Sequence, residues 1–74
     1  METVSDYYRH RKEPIIFLTR EMEERSLALA DMIKARQISR WRAAAMFRKE
    51  FPDLSARFCK AMITDALAGI RWYS

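Results

Sequence analysis

Arg57 and Lys60 stand three apart and close behind Ser55, in a stretch that is otherwise largely apolar. These residue types suit nucleic acid. Arginine forks onto guanine or phosphate, while lysine and serine contact phosphate. Arg40, Arg42, Arg48 and Lys49 lie one segment earlier and could attract the same backbone. With Arg71 they make seven Lys/Arg in residues 39–74, against Glu50, Asp53 and Asp65. Residues 1–38 balance seven bases with seven acids, so the whole net charge of +4 belongs to the second half. Charge segregated in this way points to a polyanion, most simply DNA, although a solvated basic face is the ordinary alternative.

Other chemistry is poorly supplied, and no enzyme is expected. His10 falls in a polar leading segment, and Cys59 falls on an apolar helix face, where a reactive thiol would lack an exposed electropositive setting. The adjacent carboxylates Glu23 and Glu24 read as solvated. Cys59 is the only cysteine, so no internal disulfide can form; no metal-ligand spacing and no phosphate-cradling glycine loop occurs, so neither metal nor cofactor is expected. A single thiol fits a reducing cytoplasm. No apolar run approaches membrane-spanning length, and the chain reads as soluble and cytoplasmic.

A second kind of surface competes with the basic one. Met22, Met32, Met46 and Met62, together with Trp41, Phe47, Phe51, Phe58 and Trp72, exceed what a minimal core needs. Methionine adapts to varied partners, and tryptophan and arginine anchor interfaces. Trp41, Ile63, Leu67, Ile70 and Trp72 are the candidates for a protein interface. For any one of them, a place in the core is the simpler reading.

The elements that must position these residues are helical. One glycine and two prolines in 74 residues, with abundant Ala, Leu, Met, Glu and Arg, leave little material for turns. Residues 1–13 show no helical periodicity and read as a flexible basic and aromatic arm; residues 14–74 read as one all-α domain. Within it, Pro14 suits a first helical position, and Ile15, Leu18, Met22, Ser26, Leu29 and Ile33 mark the buried face of a helix over 14–36. Glu21 with Arg25, and Arg20 with Glu24, are spaced to pair along its surface.

Ser39 caps a second helix running to about 51, with Ala43, Ala44, Phe47 and Phe51 on one face. Asp53 or Ser55 caps a third, over about 54–69, which ends at Gly69. That helix is apolar nearly all round, apart from a wedge of Arg57, Lys60 and Thr64. Such a helix is buried on several sides, and in so small a chain a second subunit is an economical cover, so a homodimer is expected. The last two helices form a helix–turn–helix-like pair, in which the first crosses the phosphates and the second enters the major groove. A small DNA-binding transcriptional regulator is the expected function; a helical adaptor or inhibitor of a larger protein is the alternative. Membrane-surface binding ranks third, because the last helix has too broad an apolar face and too few bases.

Overall fold

Helix boundaries in this chain follow its hydroxyl and glycine caps. The computed structural model describes residues 2–10 and 18–73, which form four α-helices and no strand: α1 (Val4–His10), α2 (Arg20–Lys34), α3 (Arg40–Glu50) and α4 (Ala56–Leu67). The roles expected of Pro14 and Ile15 lie outside the described residues, as do Arg11, Lys12 and the side chain of His10.

The expected helix over 14–36 begins later, at Arg20. Thr19 is extended (φ −109°, ψ 158°) and its hydroxyl accepts the Met22 amide hydrogen at 3.1 Å, so the chain enters the helix there. Leu18 therefore precedes the helix. Met22, Ser26 and Leu29 of the expected stripe are buried, and Ile33 is half-buried. Ser39 and Ser55 cap α3 and α4 in the same manner, accepting from Arg42 N at 3.3 Å and Phe58 N at 3.1 Å.

Beyond α4, Gly69 adopts φ +77°, and the amides of Gly69 and Ile70 bond back to the carbonyls of Ala66 (3.1 Å) and Asp65 (3.0 Å). The same hydrogen-bond pattern ends α2, where a non-glycine residue, Arg36, takes the left-handed position at φ 60°.

Among the described residues, four helices stand in place of the expected three, because residues 4–10 of the expected arm are helical. Thr3 and Asp6 cap each other: Asp6 N donates to the Thr3 hydroxyl at 3.1 Å, and Thr3 N donates to the Asp6 carboxylate at 3.2 Å. Val4 and Tyr7, one turn apart, are then buried together. Tyr7 meets Phe58 edge-on, with ring centres 5.1 Å apart, and Tyr8 completes a cluster of three rings at 6.0 Å from both Phe58 and Tyr7.

α4 is central and packs against α1, α2 and α3, while α2 also packs on α3. Phe47, Phe58, Met62, Leu29 and Ile63 form the middle of the core. The apolar circumference of α4 is thus covered by three helices of its own chain, so the burial that led to the expectation of a second subunit is met internally. The surface pairs also differ from those the helix spacing suggested. Arg25 Nε lies 2.6 Å from Glu50 Oε2 on α3, and Arg20 lies over the Tyr73 ring at 5.6 Å.

Glu23, expected to be solvated, is buried. Its carboxylate accepts the backbone amides of Trp72 at 2.5 Å and Tyr73 at 2.9 Å, with Arg71 Nε 3.7 Å away. It therefore fastens the segment after α4 onto α2, and the Tyr73 hydroxyl adds a bond to the Leu18 carbonyl. Burial pushes its pKa up, but the two amides and Arg71 outweigh burial and leave it below the ordinary value. Asp65 does the corresponding work for α1. Both its oxygens lie 3.3 Å from Val4 N, an otherwise orphaned donor at a helix start. Here burial dominates and raises the pKa; the Val4 amide offsets part of this, and Asp6 adds to it.

Candidate nucleic-acid interface

The turn between α3 and α4 sets the relation of the two basic helices. Leu54 is buried beneath it, its amide bonds to the Phe51 carbonyl at 3.1 Å, and Arg48 Nε donates to the Leu54 carbonyl at 3.2 Å. Arg48 is thus a partly structural cation. Phe47 and Phe51, with ring centres 4.9 Å apart, hold the end of α3 against the core, leaving its outer face to Trp41, Ala45, Arg48 and Lys49.

Two clefts open along this outer face. One, of about 360 Å³, is lined by Arg40 and Trp41 of α3, by Arg57, Lys60 and Thr64 of α4, and by Glu2. The other, of about 660 Å³, is lined by Arg48 and Lys49, the turn residue Pro52, and again by Trp41 and Lys60. Trp41 and Lys60 form the ridge between them. Trp41 is 71% exposed, the most open large apolar side chain among the described residues. An aromatic face of that size, rimmed by Arg40, Arg48, Lys49, Arg57 and Lys60, can stack, exclude water and attract anions at once.

The seven residues expected to contact nucleic acid are placed unequally. Lys49 and Lys60 line the clefts without a carboxylate partner among the described residues. Arg42 is exposed and stands outside both. Arg40 donates from Nη2 to the Thr64 hydroxyl at 3.3 Å, which aims it along the first cleft. Ser55 uses its hydroxyl as the α4 cap and lies 3.4 Å from the Tyr7 hydroxyl, so that oxygen serves the fold. Arg57 is exposed, but its Nε and Nη2 each donate at 2.7 Å to one oxygen of Glu2. Those bonds first, and the Glu2 charge second, raise the guanidinium pKa further.

The expected protein-interface residues are scattered. Ile63 is buried in the chain's own core, Leu67 and Trp72 are half-buried against it, and Ile70 is exposed. Trp41 alone of the five projects well clear of the surface. Cys59 is fully buried, and burial pushes its thiol up to about 11 against an opposing pull from Arg48. None of the described helices is long and apolar enough to cross a membrane.

Sequence reasoning missed Glu2 and Glu23. The Thr3-Val4-Ser5-Asp6 capping pattern was the available sign that residues near Glu2 are ordered. Nothing local distinguishes Glu23 from Glu24. The chain shows no significant match to a protein-family model, a curated protein or a solved structure.

Proposed function

We propose that this chain is a small DNA-binding transcriptional regulator that applies the α3–α4 face to the phosphate backbone. One observation carries the reading: among the described residues, two adjoining clefts share Trp41 and Lys60 and gather five cations, with Glu2 the single carboxylate lining either of them. In the helix–turn–helix-like arrangement, α3 lies across the phosphates and α4 enters the groove with its Ser55–Arg57 end foremost. Arg42, Lys49 and Lys60 supply the first attraction, while Arg40, Arg48 and Arg57 join after exchanging internal partners. A homodimer would present two such faces to a two-fold site, with exposed Ile70 and Tyr73 as its apolar contacts.

The test is fluorescence anisotropy of a labelled random-sequence duplex at low and moderate salt. Three to six phosphate contacts predict a slope of about −3 to −5 in log affinity against log salt. Lys49→Ala with Lys60→Ala should flatten that slope by about 2 and leave helicity unchanged. No binding at low salt would refute the reading.

The exposure of Trp41 favours a second reading, a helical adaptor or inhibitor that anchors on a larger acidic protein. Salt separates the two. A tryptophan-anchored protein interface loses mainly association rate as salt rises, whereas counterion release lowers the equilibrium affinity steeply.

A further inference from the structure

The first cleft already holds an anion. Glu2 meets Arg57 with two parallel bonds of 2.7 Å, the fork-to-fork geometry by which arginine also grips a phosphate. Arg40, Lys60 and the Thr64 hydroxyl line the same cleft, which is roomier than one carboxylate requires. We propose that this cleft is a backbone-phosphate subsite whose occupant in the unliganded protein is the Glu2 carboxylate, so that nucleic acid binds by displacing Glu2. The proposal rests on the DNA-binding reading and adds a restraint to it.

Three features make the carboxylate a removable plug. The pair lies at the edge of the cleft, with the Arg57 side chain 56% and the Glu2 side chain 24% exposed, where solvent reaches the guanidinium and weakens the ion pair. Glu2 precedes the mutual cap of Thr3 and Asp6, so it can swing away while α1 stays docked. α1 is held independently by the Asp65 contact to Val4 N and by Tyr7 against Phe58, and these keep Glu2 close to Arg57 after release. A phosphate belonging to a duplex brings neighbouring phosphates to Lys60, Lys49 and Arg42, and so outcompetes one tethered carboxylate.

The experiment measures duplex affinity against salt for the wild-type chain, Glu2→Gln, Glu2→Ala, Arg57→Ala and Glu2→Gln/Arg57→Ala. Asp53→Asn serves as control, since it removes one charge from the exposed turn outside both clefts. Both Glu2 variants should bind about three- to ten-fold tighter than wild type at low salt. Their salt slopes should be steeper by about 1, because no freed carboxylate takes up a cation. The gain should exceed that of Asp53→Asn and vanish in the Arg57→Ala background.

A gain equal to that of Asp53→Asn, or one that persists without Arg57, overturns the plug while leaving DNA binding intact. Failure of wild type and both Glu2 variants to bind duplex at low salt overturns the DNA reading, and the plug with it. Inorganic phosphate at matched ionic strength distinguishes the other source of the same chemistry. Saturable phosphate binding that depends on Arg57 but leaves duplex affinity where chloride leaves it would assign the cleft to free phosphate and overturn the backbone assignment.

Discussion

Trp41→Ala should separate folding from binding. Trp41 is 71% exposed, so little of its surface supports the fold, and alanine is the better helix former at an exposed α3 position. Unfolding free energy should therefore stay within about 0.5 kcal/mol of wild type. The binding cost follows from the same exposure. A tryptophan presents roughly 200 Å², of which the exposed fraction leaves about 140 Å² for a partner to cover. At about 25 cal/mol per Å² the ceiling is about 3.5 kcal/mol, and a partner covering half would lose about 1.7 kcal/mol, or about 20-fold in affinity. Urea denaturation followed by circular dichroism gives the first number, and duplex anisotropy gives the second. A stability loss above about 1 kcal/mol, or unchanged affinity, would refute the assignment of Trp41 as a functional surface residue.

Further outcomes follow from the caps, the buried carboxylates and the thiol. Arg36→Gly should raise stability by about 0.5–1 kcal/mol, or about 2–8 °C in melting temperature, because φ 60° suits glycine; Arg36→Ala, which keeps the strain, should not. Glu23 has a lowered pKa in the folded state, so its charge stabilises the protein above the unfolded value, and that contribution fades as pH falls through the folded one. Melts at descending pH should therefore show Glu23→Gln destabilised near neutrality and converging on wild type in acid. Asp65 has the opposite sign: its raised pKa makes ionisation costly to folding, so the penalty grows as pH climbs from the unfolded value through the folded one. Asp65→Asn, which retains an oxygen for Val4 N, should gain relative to wild type across that rise. Cys59, buried with its thiol at about 11, should react with a thiol reagent only at the rate of opening, and denaturant should accelerate labelling together with loss of helicity. Rapid labelling of fully helical protein would contradict that burial.

Local chemistry accounts for what was legible in the chain. Ser39 and Ser55 precede apolar-periodic stretches and cap α3 and α4; Gly69 follows one and ends it with a positive φ. The wedge of Arg57 and Lys60 on α4 is exposed as its spacing required. Thr3 with Asp6, and Thr19 with Met22, carried cap signals of equal quality. Seven residues are too short to show an apolar period, and Ile15 and Leu18 carry the stripe of α2 past its own cap, so in both places periodicity hides the cap.

By itself, the sequence determined the helical class, the ends of α3 and α4, and the concentration of positive charge on one pair of helices. These depend on neighbours within about a turn, where backbone preference and side-chain caps act. Tertiary structure alone decided which charges remain available. Glu23 finds amides 49 and 50 residues away, Asp65 finds Val4 at 61, and Glu2 finds Arg57 at 55. A carboxylate has no intrinsic preference among such partners; its burial, pKa and accessibility are set by which helices α4 brings against it. The same packing leaves Trp41 outside the core, although its residue type would have placed it within.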